Sequence, residues 1–152
     1  MQTLALHPIG FVRNAVTGAV DDDWGKVIST IELDDSLAAG LQGIEDWSHV
    51  VVIFYMHETT FDPDKHLLRR PRGRDDMPEV GIFAQRARYH PNNIGISAVR
   101  IVDHGEGFIR VKGLDAINDT PVLDIKPYAP VYDGVQEPLV PGWFIRLMQG
   151  YL

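Results

Sequence analysis

The sequence predicts a mainly β protein: a single-domain antiparallel β-barrel spanning residues 1–152, with one or two short helices. Three observations carry that reading. About seven short segments rich in Val, Ile, Leu and Phe recur along the chain, and several alternate apolar and polar residues with the period of a half-buried strand. The stretches between them collect Gly, Pro, Asn and Asp, which favour turns. Helix-like signals are confined to two short places. A chain of 152 residues, 45% hydrophobic and 23% charged, has the length and composition of one soluble globular unit with its own core.

The first strand is expected from Leu4 to Arg13; Pro8 and Gly10 mark it as an edge or a bulge. Asn14 to Asp23 reads as a loop. Gly25 to Leu33 alternates, with Val27, Ser29, Ile31 and Leu33 on one face. Asp34-Asp35-Ser36 offers N-caps to a short helix over Leu37 to Leu41. Trp47 to Met56 holds the continuous apolar run Val50–Tyr55, so this strand is covered on both faces or lines a barrel. Thr59 to Glu79 reads as a long polar loop, of the kind that serves as a lid or binding segment. Val80–Arg86, Ile94–Val102, Phe108–Leu114 and Val122–Ile125 complete the strands, and Asp103 to Gly107 is a hairpin turn. Trp143 to Tyr151 is an apolar tail of one or two helical turns.

Composition removes several classes of function. There is no cysteine, hence no disulfide, thiol nucleophile or cysteine-held zinc. The six histidines and Asp21-Asp22-Asp23 lack the spacing of metal ligands, so no metal is expected. No apolar run reaches membrane-spanning length and no signal peptide precedes the first strand, so a cytoplasmic protein with no membrane partner is expected. Serine-nucleophile elbows and glycine-rich nucleotide loops are absent. The net charge of −7 argues against nucleic-acid binding over the whole surface. A local basic patch remains: Lys65, Arg69, Arg70, Arg72 and Arg74 are five of the fourteen basic residues.

The residues alone leave their roles open. The arginines of that patch suit phosphates or a solvated lid. Arg86 wants a carboxylate or phosphate, which a ligand or one of Asp115, Asp119 and Asp124 would supply. Asp124 and Lys126 read as an ion pair or a polar site. Asn92-Asn93 reads first as a turn, although an asparagine side chain also matches an adenine edge.

Taken together, Gly81-Ile82-Phe83-Ala84-Gln85-Arg86, His90-Pro91-Asn92-Asn93-Ile94-Gly95, Leu114-Asp115 and Asp119 to Tyr128 resemble the TsaA-like (YaeB/TrmO) family, S-adenosylmethionine-dependent tRNA methyltransferases built on a β-barrel. Ile9-Gly10-Phe11-Val12-Arg13 and Trp47-Ser48-His49 through His57 match further family motifs, and the likeness runs from about Pro8 to Tyr132. Two motif positions depart from the pattern: His90 stands where the family has arginine, and Asp119 where it has glycine.

The resemblance implies a cytoplasmic homodimer that binds S-adenosylmethionine and methylates the exocyclic nitrogen of threonylcarbamoyladenosine beside the tRNA anticodon. Carried over by position, donor contacts fall on Asp23, Trp24, Gly25, Met56, His57, Arg86, Ile96, Gly113, Leu114, Asp115 and Ala116. Arg70, Arg72, Asn92 and Lys126 are the expected acceptor contacts. The acceptor nitrogen adjoins a carbonyl and is a weak nucleophile, so a base is needed; His57, Asp115 and Asp124 are the candidates. A smaller acceptor, or donor binding without turnover, stays open as the alternative.

Overall fold

In the computed structural model, which describes residues 1–18 and 20–152, six strands close into an antiparallel barrel. In chain order the strands are β1 (Gly10–Arg13), β2 (Ile28–Leu33), β3 (His49–Tyr55), β4 (Leu68–Arg69), β5 (Val80–Gly81), β6 (Ile94–Gly105), β7 (Phe108–Lys112) and β8 (Pro121–Pro127). The barrel order is β1-β2-β7-β6-β3-β8, with every pairing antiparallel. The short helices are α1 (Pro63–His66), α2 (Pro130–Asp133) and α3 (Gly142–Leu147).

The alternation read from the sequence sets the core. Val12, Ile31, Val50, Val52, Phe54, Val99, Ile109, Val111 and Val122 point inward and are buried. Each such side chain contributes about 1.5–3 kcal/mol on leaving water. Closure removes the sheet edges that would otherwise expose unpaired backbone groups. The hairpin between β6 and β7 turns through Glu106-Gly107, inside the stretch where the sequence placed it. Two bulges adjust the curvature, one between Ile53 and Phe54 against β8 and one between Ile101 and Asp103 against β7.

Several elements differ from the sequence reading. The first strand is only Gly10–Arg13, because residues 1–8 have no sheet partner. Asp34 does cap a helical turn, accepting from the Ser36 amide at 3.0 Å, but Asp35–Leu41 is a 3-10 helix. Thr59–Glu79 is not an open loop. It carries α1 and β4, and β4 pairs with β5 through Leu68↔Gly81 and Arg69↔Val80. The strand expected over Val80–Arg86 stops after Gly81 and passes into a 3-10 turn, Ile82–Ala84, so Arg86 does not end a strand. The buried Gln85 amide holds this corner, donating to the carbonyls of Arg69 (3.3 Å) and Val80 (3.1 Å). Ala19, within the expected Asn14–Asp23 loop, lies outside the described residues. Among the described residues no helix is long and apolar enough to cross a membrane.

Candidate functional site

The strands bring three motif segments to one end of the barrel. There β3 stops, β6 begins and the chain leaves β7 through Gly113–Ala116. A cleft of about 900 Å³ opens at this end. Trp143, Phe144, Leu147, Met148 and Tyr151 of the C-terminal segment line it as well.

Asp115 is the polar centre. Its carboxylate accepts from the Ser97 hydroxyl on β6 through one oxygen and from the Tyr151 hydroxyl at 2.6 Å through the other. Burial, reinforced by the negative charge of Asp115, holds the Tyr151 phenol well above its ordinary ionisation range. Tyr151 therefore stays protonated and donating at neutral pH. Carboxylate oxygens keep lone pairs beyond these two contacts, so Asp115 can still accept from a ligand hydroxyl or ammonium.

Around Asp115 the cleft is mixed in character. Trp24 is buried, with its indole N–H donating to the Val20 carbonyl at 3.2 Å. Met56 and His57 follow β3. The Met56 amide donates to the Asn93 carbonyl at 2.9 Å, and the Asn93 side-chain amide donates to the Thr59 carbonyl at 2.6 Å. Asn93 takes a left-handed turn conformation (φ 49), so Asn92-Asn93 is a turn that clamps the end of β3. His57 Nδ1 is buried without a hydrogen-bond partner among the described residues. Burying such a nitrogen unpaired costs about 1–3 kcal/mol.

Arg86 lies on the lip of the cleft and donates to the Ile96 carbonyl at 2.9 Å. The three acids considered as its partners are engaged elsewhere: Asp115 with Ser97 and Tyr151, Asp119 with Arg13, Asp124 with Lys126.

Of the residues expected at a donor site, Trp24, Met56, His57, Arg86, Ile96, Gly113, Asp115 and Ala116 line this cleft. Asp23, Gly25 and Leu114 adjoin it without lining it. Asp23 is an exposed left-handed residue pairing with Lys26 at 3.6 Å, Gly25 packs on Leu152, and Leu114 is fully buried in the core. Asp124 and Lys126 pair at 2.8 Å and lie outside the lining, as does exposed Asn92. Arg70 donates to the Met77 carbonyl and is likewise outside. Arg72 reaches the cleft, but its guanidinium donates to the Asp21 carbonyl at 3.0 Å and lies 3.5 Å from the Asp22 carboxylate.

Sequence reasoning does not single out Tyr151, Arg88 or Tyr89, and it takes Ser97 for a packed strand residue. Ser97 has a legible signal, a polar residue on the inward face shared by Gly95 and Val99. Tyr89 stacks on His66 with centroids 4.1 Å apart, and the guanidiniums of Arg69 and Arg88 lie 5.0 and 5.2 Å from its ring centre. Arg69, Arg88 and Tyr89 all line the cleft, forming a cationic, aromatic lip.

A closed six-stranded barrel with a mixed polar and apolar cleft where β3 ends and β6 begins defines a class of small β-barrel proteins with a cleft at the barrel mouth. Within that class the assignment is specific. The chain belongs to the family of the tRNA-methyltransferase O N-terminal domain, whose model matches residues 22–134. It is 40% identical over 114 residues to a probable S-adenosyl-L-methionine-binding protein of Pyrococcus abyssi, covering 75% of this chain and 59% of that protein. It is 40% identical over 143 residues to a putative S-adenosylmethionine-dependent methyltransferase of Pseudomonas aeruginosa, covering 89% of this chain and 61% of the relative. Among solved structures, TrmO of Pseudomonas aeruginosa superposes with a TM-score of 0.76 at 29% identity, over 94% of this chain and 62% of that one. The chain thus spans about six-tenths of the length of these relatives.

Proposed function

We propose that the protein binds S-adenosylmethionine in the Asp115 cleft and transfers its methyl group to the exocyclic nitrogen of threonylcarbamoyladenosine beside the tRNA anticodon. The observation that carries this reading is the meeting, in one cleft, of Asp115, Met56, His57 and Arg86 in a chain of this family. The residues suit the donor. Asp115 can accept from a ribose hydroxyl or an ammonium group, Arg86 suits a carboxylate, and Met56 offers apolar surface to adenine. When bound, the donor supplies an activated methyl group, so positioning provides much of the rate.

His57 is the better candidate for the base, since it is an imidazole that lines the cleft. Asp115 is assigned to binding because both of its oxygens already hold donors. Asp124 neither lines the cleft nor lacks a partner. On the acceptor side, Arg69, Arg88 and Tyr89 take the place expected for Arg70 and Arg72. The two arginines supply charge suited to phosphate, and Tyr89 with His66 holds them at the lip.

A homodimer belongs to the same reading. The outer face of β3 and β6 carries Tyr55, Ile94 and Ile96, and the two isoleucines are 44% and 48% exposed. Neighbouring exposed apolar side chains of this kind suit a subunit contact. Because Ile94 and Ile96 also line the cleft, the donor site would border the subunit interface. A cytoplasmic setting follows from a tRNA acceptor.

The internal engagement of Arg70 and Arg72, with a net charge of −7, favours a second reading in which the acceptor is a smaller molecule. Methyl transfer from labelled S-adenosylmethionine to total tRNA from cells lacking the methylation separates the two. Label recovered in threonylcarbamoyladenosine supports the first. Donor binding without labelled tRNA shifts the assignment to the second, or to donor binding without turnover.

A further inference from the structure

We infer that Tyr151 is a positioning residue of the donor site: its hydroxyl orients the Asp115 carboxylate toward the ligand, and the 150–152 segment is strapped to the Trp24 loop to place it there. This role rests on the reading of the cleft as a donor site. Tyr151 lies outside residues 22–134, the span that the family model matches, so that match assigns it no role.

The strap is built from several independent contacts. The Asp23 amide donates to the Gly150 carbonyl at 3.0 Å, and the Trp24 amide donates to the Tyr151 carbonyl at 2.9 Å. Gly25 has no room for a side chain there, since a Cβ would sit 2.4 Å from the Leu152 carbonyl carbon. Upstream, buried Leu147 anchors α3, and the left-handed Gly150 (φ 76) turns the chain back toward the cleft. The Arg72 guanidinium covers the Tyr151 ring at 5.7 Å while bonding Asp21. That contact gives Arg72 a structural use distinct from phosphate binding.

The chemistry follows from the two donors on Asp115. A carboxylate on a connecting segment rotates freely unless its oxygens are held, and a loosely held group loses affinity through the cost of ordering it. Ser97 holds one oxygen from the barrel and Tyr151 holds the other from the tail. The remaining lone pairs are thereby aimed at a fixed place in the cleft.

The test is a double-mutant cycle on donor affinity, read by calorimetry with S-adenosylmethionine and S-adenosylhomocysteine. Tyr151→Phe keeps the ring under Arg72 and removes only the hydroxyl. It is expected to weaken binding by about tenfold, the loss of one hydrogen bond to a charged acceptor. The penalty should largely vanish in an Asp115→Asn background, because the hydroxyl acts through that carboxylate. A tyrosine that merely packs the tail would give the same penalty in both backgrounds, and that result overturns the inference. If Asp115→Asn abolishes binding, the cycle is closed on the ligand instead, with methylthioadenosine and a 2′-deoxy analogue of S-adenosylhomocysteine. The penalty must disappear for the analogue lacking the group that Asp115 holds, and an equal penalty for both overturns the inference. Unaltered affinity in Tyr151→Phe also overturns it while leaving the donor site standing. Absence of donor binding by the unmutated protein overturns the site reading and the inference together.

Discussion

Gly95 faces Phe54 across the β3–β6 pair, and its replacement by alanine isolates the reason a glycine stands in the Ile94-Gly95 motif. A Cβ at this position would lie 2.3 Å from two ring carbons of Phe54 and 2.9 Å from a third. Carbon atoms in contact settle at about 3.5–4.0 Å, so the ring would have to retreat by about 1 Å. Phe54 is 2% exposed and packed among the barrel's core side chains, which leaves it nowhere to go without moving its neighbours. Overpacking of this kind costs about 1–3 kcal/mol. For a chain of this size each kcal/mol lowers Tm by about 2–4 °C, so Gly95→Ala should lower it by about 4–8 °C for a cost near 2 kcal/mol. Because Phe54 and Gly95 also line the cleft, donor affinity should fall in the same variant. Thermal unfolding followed by circular dichroism, on Gly95→Ala, Phe54→Leu and the double variant, measures the coupling. The smaller leucine should absorb the added methyl, making the double variant more stable than the sum of the singles predicts. Strictly additive losses, or a Gly95→Ala protein melting within about a degree of the unmutated one, would refute the steric argument.

Three further outcomes follow from the same geometry. Asp115→Ala should reduce donor affinity at least about tenfold by equilibrium dialysis while far-ultraviolet circular dichroism stays native, since Asp115 lies outside the barrel strands and its backbone pairing is not part of the sheet. Ile96→Glu places a charge on the exposed β3–β6 face and should convert a dimer to monomer by sedimentation velocity; an unchanged oligomeric state would remove that face as the interface. The phenol of Tyr151 is held above its usual value of about 10, so its contribution to stability is present below about pH 10 and is lost as pH rises through the folded value. Urea unfolding should therefore show the unmutated protein losing stability with rising pH in the alkaline range more steeply than Tyr151→Phe does.

The barrel is legible because burial in a closed sheet imposes a strict alternation. The inward positions of β2, Ser29 and Ile31, are the ones the pattern of Val27 to Leu33 marks, and the apolar run Val50–Tyr55 forms the central strand β3. Local signals mislead where tertiary contacts override them. Leu4 to Pro8 has the composition of a strand but finds no neighbour. Strand-like composition also continues past Gly81 through Ile82 and Phe83, but the Gln85 corner cuts it, so the expected strand to Arg86 becomes a turn at Ile82–Ala84.

The amino-acid sequence by itself determined the fold class and the family motifs, because alternation, turn chemistry and motif order are properties of the chain read locally, and the resemblance those motifs carry pointed to Met56, His57, Arg86 and Asp115, which gather at the barrel mouth. Only the tertiary structure decided which charges are free to act. Arg70, Arg72, Asp119, Asp124 and Lys126 are taken up by partners within the chain, while Arg69, Arg88 and Tyr89 meet at the cleft. It also decided that Tyr151, 36 residues from Asp115, supplies the second donor to that carboxylate. Such pairings depend on where chain closure brings distant side chains within hydrogen-bond reach, a distance that no local pattern of residues encodes.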